Sequence, residues 1–414
     1  MKKSLLSLLG VAAVSAVFAQ SNTLSFSQNG NGNQANTVSQ RGTGNAGTVA
    51  VTGNNNSVYF TQSGTNQTAS IVTTGNDNTA SLSAYGDGIA TAITQVGDGN
   101  YGGAGSGSTV GQTGNGNRAN AGYGTEIFQT GDNNRASASH QSSIVQTGNN
   151  NYGSQINTFP YTIDEPNKVN IIQMGDNNYA SSDAFYYSRD NETTVTQEGN
   201  NNRATTSFSY GSNGNEVRID QLGDNNRSSV TGGYYSQVDI SQQGNYNQSE
   251  VSPYEQVSIS QNGDYNYGSV RGSGTITQTG DMNYGLISFA RNSSITQNGD
   301  ENFASLSAVR GDISQTGYYN YGIFTATNGT ENQVSLTQSG DQNGARLTQD
   351  GSFNTATIRQ EGLGNQLVGL DSNSFARQQG DGNSLTLTQT GDGNVLHFGQ
   401  SGSNNTVNIT QVAP

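Results

Sequence analysis

Gln349-Asp350-Gly351-Ser352-Phe353-Asn354-Thr355-Ala356-Thr357-Ile358-Arg359-Gln360 carries the plan of the whole chain. It opens on Gln-x-Gly-x-x-Asn and closes on the Gln of the next copy. Gly-x-x reads as a tight turn, because Gly takes φ values that side chains resist. The residues after it alternate, with Asn354, Ala356, Ile358 and Gln360 on one face. Period two with β-branched residues is the signature of a strand. The residues before other copies alternate in the same way: Val257-Ser-Ile259-Ser-Gln261, Val238-Asp-Ile240-Ser-Gln242, Val334-Ser-Leu336-Thr-Gln338 and Leu385-Thr-Leu387-Thr-Gln389. Each motif is therefore strand, turn, strand.

The motif recurs from end to end. Its Gln, Gly and Asn are Gln28, Gly30 and Asn33; Gln40, Gly42 and Asn45; Gln95, Gly97 and Asn100; Gln112, Gly114 and Asn117; Gln129, Gly131 and Asn134; Gln146, Gly148 and Asn151; and Gln173, Gly175 and Asn178. It continues with Gln197, Gly199 and Asn202; Gln221, Gly223 and Asn226; Gln242, Gly244 and Asn247; Gln261, Gly263 and Asn266; Gln278, Gly280 and Asn283; and Gln297, Gly299 and Asn302. The remaining copies are Gln315, Gly317 and Asn320; Gln338, Gly340 and Asn343; Gln349, Gly351 and Asn354; Gln360, Gly362 and Asn365; Gln378, Gly380 and Asn383; Gln389, Gly391 and Asn394; and Gln400, Gly402 and Asn405. Weakened copies stand at Val51 to Asn56, Gln62 to Gly64 and Thr73 to Asn78.

Two spacings fit one geometry. Near both ends, over 20–94 and 338–414, the unit is mostly 11 or 12 residues, as in Gln338, Gln349 and Gln360. That is one strand and one turn, so two units close a rung. Over 95–337 the motif recurs every 17 to 27 residues, as a full rung with one motif turn and one variable arc. Arcs are readable at Arg271-Gly-Ser-Gly274, Arg310-Gly-Asp312 and Ser252-Pro-Tyr-Glu255, and in the interval holding Pro160 and Pro166. Proline cannot donate a ladder hydrogen bond and belongs in such arcs. The fold expected is all-β: a β-solenoid of stacked strand-turn-strand rungs, roughly 18 of them, of the cross-β type.

Composition explains why the rungs must stack. The chain is 30% hydrophobic and 11% charged, with 56 Gly, too polar for an ordinary globular core. Neighbouring repeats, by contrast, share one continuous core. A buried amide is costly unless bonded. Stacking puts each inward Gln at strand spacing from the next, where its amide can donate to one neighbour and accept from the other, as in the Asn/Gln ladders of cross-β structures. The competing reading, Asn for turn propensity alone, leaves unexplained why Gln recurs as faithfully. Ala119, Ala136, Ala180, Ala204 and Ala304 suit a thin two-sheet interior.

Residues 1–19 read as a secretory signal peptide: Lys2 and Lys3, an apolar run from Leu5 to Val17, and a small-residue cleavage site ending at Ala19. No other segment approaches the roughly 18 apolar residues of a membrane helix. There is no cysteine, hence no disulfide framework and no thiolate metal site. Formal charge is −14. Such a chain does not attract nucleic acid or anionic membrane.

Gln-x-Gly-x-x-Asn-x-Ala-x-x-x-Gln, as in Gln349 to Gln360, resembles the curlin repeat of the bacterial curli fimbria subunits. Gln28 to Gln40 matches it with one extra residue. The resemblance implies a secreted structural protein that polymerises with itself and with related subunits into an extracellular amyloid fibre or cell-surface matrix of biofilm. It implies adhesion, export and chaperone partners, and inward-pointing motif Gln and Asn. The chain departs from such subunits in having several times more rungs, and only Gln20 to Ser27 precede its first motif. Its irregular middle arcs would suit a minor subunit, a nucleator or a decorated fibre protein.

Asp follows the motif Gly at Asp98, Asp132, Asp176, Asp224, Asp264, Asp281, Asp300, Asp341, Asp381 and Asp392. Stacked, these carboxylates would line one edge, either as gatekeepers that slow polymerisation or simply as good turn residues. The tandem nonapeptide of calcium-binding β-rolls is absent. Tyr or Phe follows the motif Asn at 101, 152, 179, 267, 284, 303 and 321, and Arg at 118, 135, 203 and 227, all expected to face outward. With His140 and His397 as its only histidines, the chain offers no catalytic constellation, no metal cluster and no cofactor site. The second reading is a monomeric secreted solenoid that acts as an adhesin or binds ice or glycans.

Overall fold

The structure is a computed structural model that describes residues 21–157, 167–184, 188–209, 211–233, 235–252, 256–289, 292–371 and 374–413. The expected signal peptide and the arcs holding Pro160, Pro166 and Pro253 lie outside these residues. The chain divides into two compact units, with the boundary between Asn200 and Asn201. Each is all-β, and among the described residues there is no helix.

In unit 1 a parallel sheet begins with Thr23–Asn29, Ala46–Thr52, Thr68–Thr74, Ala90–Val96 and Thr109–Thr113, and runs on to Lys168–Met174 and Glu192–Glu198. Between these strands the chain crosses to a second parallel sheet, from Gln34–Thr43 through Ser57–Thr65, Thr79–Asp87 and Tyr101–Ala104 to Tyr152–Asn157 and Tyr179–Ala184. Unit 2 repeats the plan. Its first sheet runs from Glu216–Leu222 to Thr406–Val412, and its second sheet includes Arg203–Phe208, Tyr267–Arg271, Tyr284–Ser288 and Gly344–Asp350. The fold is a β-solenoid of stacked rungs, as the two-residue alternation requires.

Register is strict, because a one-residue slip would turn every inward side chain out. In unit 1 Ile93, Val110, Ile127, Ile144 and Ile171 stack in one column. In unit 2 Ile219, Ile240, Ile259, Ile276, Ile295, Ile313, Leu336, Ile358 and Leu387 do the same. All are essentially inaccessible. Each buried side chain of this size contributes about 2 kcal/mol. The interior is thin. A Cβ on Gly102 would lie 3.2 Å from both Ile93 and Gln112, and the residues stacked on Gly102 in the following rungs are Ala119, Ala136, Gly153 and Ala180.

The motif turn depends on its glycine. Gly97 has φ +115°, and a Cβ there would lie 2.0 Å from the carbonyl oxygen of Gly114 on the next rung. Gly280, with φ +105°, stands in the same relation to Gly299 at 2.4 Å. Every motif glycine has a positive φ.

One expected arc is corrected. Arg310-Gly-Asp312 is not a turn but the start of strand Arg310–Thr316. The corner falls earlier, where Ala308 takes φ +55°. Gly311 pairs in register with Val334, so close that a Cβ there would meet the Val334 carbonyl oxygen at 2.2 Å.

Candidate functional site

The recurring polar groups converge on the interior. In unit 1 Gln95 Nε2 donates to Gln112 Oε1 at 2.9 Å, Gln112 to Gln129 at 2.9 Å, Gln129 to Gln146 at 2.8 Å, Gln146 to Gln173 at 2.8 Å and Gln173 to Gln197 at 2.9 Å. In unit 2 the chain of donors runs from Gln221 through Gln242, Gln261, Gln278, Gln297, Gln315, Gln338, Gln360 and Gln389 to Gln411, with every link between 2.7 and 2.9 Å. The second N–H of each amide crosses to the facing sheet, as from Gln112 to the Tyr101 carbonyl at 3.0 Å and from Gln278 to the Tyr267 carbonyl at 2.9 Å. Both donors are thus satisfied in the dry interior, where an orphaned group costs about 1–3 kcal/mol.

The motif glutamines divide between the two sheets. Gln40 bonds Gln62 at 2.9 Å in the second sheet of unit 1, and Gln349, Gln378 and Gln400 form a second-sheet ladder in unit 2 at 3.0 and 3.1 Å. Ladders stop where the sequence changes. Gln349 follows Ala326 in register, and its Oε1 has no partner. Gln28 stands in register with the buried Val51, on the inward column, but is exposed because its strand is the outermost described one in unit 1. Thr73 bridges part of the gap by donating to Gln95 Oε1 at 3.2 Å.

The motif asparagines tie turn to turn. Asn100 Nδ2 donates to the Gly114 carbonyl at 2.8 Å, while its Oδ1 accepts the Asn117 N–H at 2.9 Å. In unit 2 Asn266 bonds the Gly280 carbonyl at 2.8 Å and accepts the Asn283 N–H at 3.0 Å. These asparagines are buried, except Asn33, Asn394 and Asn405 near the outer rungs, which are partly exposed. Gln67 replaces Asn in one copy. Its longer side chain still reaches a carbonyl oxygen, that of Gly86, but its own Oε1 is left without a partner.

A further column lies one residue after the motif glycine. Its side-chain oxygens accept the turn N–H of the preceding rung: Asn76 N–H to Asp98 at 2.7 Å, Asp98 to Asn115 at 2.9 Å, Asn115 to Asp132 at 2.7 Å and Asp132 to Asn149 at 2.9 Å. From Asn76 onward Asp and Asn alternate in unit 1, ending with Asn149, Asp176 and Asn200. Unit 2 instead holds three consecutive carboxylates, Asp264, Asp281 and Asp300, linked at 2.8 Å. Asp341, Asp381 and Asp392 accept from Tyr318, Ser352 and Leu363. Asp224 donates its N–H to Asn245 at 2.9 Å.

Sequence reasoning passed over two features. Gln411 ends a ladder although no glycine follows it. Its place at the end of an alternating strand was the available signal. The residue before each motif Asn is left-handed, with φ near +57° at Asn133, Tyr246, Tyr265, Met282 and Glu301 alike. The identity of that residue gives no such hint in the unit 2 copies from Tyr246 to Phe353.

Other chemistry is sparse. The His140 pKa lies below the ordinary histidine value because burial disfavours its charged form. His397 Nδ1 meets the Gly369 carbonyl at 2.9 Å. Among the described residues no group of three or more His, Asp or Glu could hold a metal ion, and no helix is long and apolar enough to cross a membrane.

A family model, the curlin associated repeat, matches residues 37–64, 189–231, 329–362 and 380–412. These four segments carry curlin repeats. The matched curlin segments contain Gln40, Gln197, Gln338, Gln349, Gln389 and Gln400, which are ladder residues in the structure. No curated protein matches the chain.

Proposed function

We propose that this protein is a structural subunit of an extracellular curli-like amyloid fibre, adding copy to copy through its outer rungs. The observation that carries the reading is the match between the two outermost first-sheet strands. Setting Gln28 of Thr23–Asn29 over Gln411 of Thr406–Val412 also sets Phe26 over Ile409 and Leu24 over Val407. Polarity agrees as well. Within each ladder the lower-numbered Gln donates, so Gln411 of one copy would donate to the free Oε1 of Gln28 in the next. Leu24 and Phe26, 39% and 43% exposed, would be covered. Such a head-to-tail contact does not close on itself and generates an open filament from unpaired strand edges.

In this reading residues 1–19 direct secretion, 20–94 and 338–414 supply regular half-rungs for the junction, and 95–337 supply decorated rungs. Export and chaperone proteins deliver the subunit, and the fibre contributes to biofilm matrix and adhesion. The run Asp264, Asp281 and Asp300 acts as the gatekeeper, since like charges at rung spacing oppose stacking until they are neutralised.

The test is to dilute the chain lacking 1–19 from denaturant and follow thioflavin-T fluorescence and electron micrographs at pH 7 and pH 4. Fibres, forming faster at pH 4, are expected. Soluble β-rich monomers at both values would overturn the fibre and leave the binding solenoid.

A further inference from the structure

A parallel in-register stack places like residues face to face, and tyrosine is the case with chemical consequences. Tyr246 lies on Tyr265 with centroids 4.9 Å apart and planes 1° from parallel, both rings about half exposed at the motif-turn edge of unit 2. Tyr267 lies on Tyr284 at 4.7 Å and 11° on the outer face of the second sheet. In unit 1 Tyr152 lies on Tyr179 at 4.9 Å and 6°. Backbone pairing of Tyr152 with Tyr179 and of Tyr267 with Tyr284 holds these two pairs in register. The unit 2 stack continues through Phe303 to Tyr321, at 4.8 and 5.1 Å. Phe303 therefore separates Tyr321 from the nearest tyrosine in its column, Tyr284.

Stacking turns one face of each ring onto its partner, while Tyr246 and Tyr265 stay about half exposed and the Tyr267 hydroxyl reaches Glu250 at 3.4 Å. That geometry is poor for a sugar or planar ligand, which needs a free face. It is favourable for a reaction between the rings themselves, since two reactants held in contact gain the rate advantage of an intramolecular encounter. With no cysteine the chain lacks a disulfide to fasten rung to rung.

We propose that the facing tyrosines are sites of oxidative cross-linking between rungs, forming dityrosine at Tyr246/Tyr265, Tyr267/Tyr284 and Tyr152/Tyr179. A one-electron oxidant of the haem-peroxidase class removes one electron from each ring, and each phenol loses its proton. The two phenoxyl radicals join through a carbon–carbon bond between positions ortho to the oxygens. The two ring hydrogens then move to the oxygens and restore both phenols. Hydrogen peroxide takes up the two electrons and two protons and leaves as two waters. Rotation of the exposed side chains brings the ortho carbons together while the backbone stays in register. The inference does not rest on the fibre, since each link lies within one chain.

The experiment treats the dilute, folded chain lacking 1–19 with horseradish peroxidase and hydrogen peroxide. Dityrosine fluorescence is read, and peptides from an acidic-residue-directed protease are mapped by mass spectrometry. Glu250 lies between Tyr246 and Tyr265, and Asp281 between Tyr267 and Tyr284, so both links join separate peptides. Joined peptides, each lighter by two hydrogen atoms, are expected at the three pairs and not at Tyr321. Tyr265→Phe keeps the stacked shape and should abolish the link to Tyr246 while leaving Tyr267 to Tyr284 intact. Links scattered over unpaired exposed tyrosines such as Tyr85 and Tyr318, or the same pattern from urea-unfolded chain, would overturn the proposal.

Discussion

The turns of unit 1 and those of unit 2 between 246 and 353 share a backbone but not a chemistry. In unit 1 the left-handed position is held by Asn55, Asp77, Gly99, Gly116, Asn133, Asn150 and Asn177, the residue types that tolerate it. In unit 2 it is held by Tyr246, Tyr265, Met282, Glu301, Tyr319, Gln342 and Phe353. Yet the Asn133 N–H reaches the Asn115 carbonyl at 2.8 Å, and the Tyr265 N–H reaches the Asn245 carbonyl at 2.9 Å. The turn is therefore imposed by its Gly and Asn neighbours and by the rung beneath. The left-handed residue is free to vary, at a cost of about 1–2 kcal/mol when it is bulky. Part of that cost returns where rings stack, as Tyr246 does on Tyr265.

If glycine and asparagine impose the turn, their loss should hurt both regions alike. Gly97→Ala and Gly280→Ala each force a Cβ into a carbonyl oxygen, at 2.0 and 2.4 Å, at a positive φ. Each should cost about 4 kcal/mol, read as a fall in the urea midpoint. Tolerance of one but not the other would break the equivalence of the two turns.

Next in size are the ladders. Gln129→Leu strands the Gln112 amide, the Gln146 oxygen and the Arg118 carbonyl. Gln278→Leu does the same to Gln261, Gln297 and the Tyr267 carbonyl. A loss of about 2–4 kcal/mol is expected from either, despite the added apolar surface. A stabilised variant would mean that the amides are not held as drawn.

The difference between the regions is sharpened by exchange. Asn133→Tyr puts a ring between Gly116 and Asn150, with nothing to stack on, and should cost about 1 kcal/mol. Tyr265→Asn relieves the backbone but removes a ring from Tyr246, so its net effect should be near zero. A double-mutant cycle on Tyr246 and Tyr265 should return a coupling of about 0.5–1.5 kcal/mol.

These contrasts mark what the sequence could and could not convey. Alternation such as Val238-Asp-Ile240-Ser-Gln242 made the strands and the stacked solenoid readable, because the side-chain period of a strand is two. The candidate Gln and Asn could be named from spacing. Which sheet each Gln joins could not, since Gln349 and Gln360 sit in identical motifs yet lie in the second and first sheets of unit 2. Arg310-Gly-Asp312 carries turn residues, yet it pairs as strand with Gln333, Val334 and Ser335 of the next rung. What stacking decides is a property of two rungs, which one rung's residues do not contain.

The smallest effect concerns pH, where one carboxylate in each unit shifts in the opposite sense. Burial raises the Asp183 pKa above its ordinary 3.8, against a weaker opposing hydrogen bond from Ser181. Its contribution is therefore full below the unfolded value and lost as pH rises through the raised folded value. The Asp350 pKa is lowered, first by the hydrogen bond from Arg377 at 2.7 Å and then by that from Asn328. Its contribution is present above the unfolded value and lost as pH falls through the lowered folded one. At pH 7 Asp183→Asn should thus raise the urea midpoint and Asp350→Asn should lower it. On acidification the Asp183 difference should close first, above pH 3.8, and the Asp350 difference only below it. Because its partner Arg377 is about half exposed, the Asp350 effect should shrink in salt while that of Asp183 persists. A shared sign would mean that Asp183 has found a cationic partner, and the two units would then differ in their turns alone.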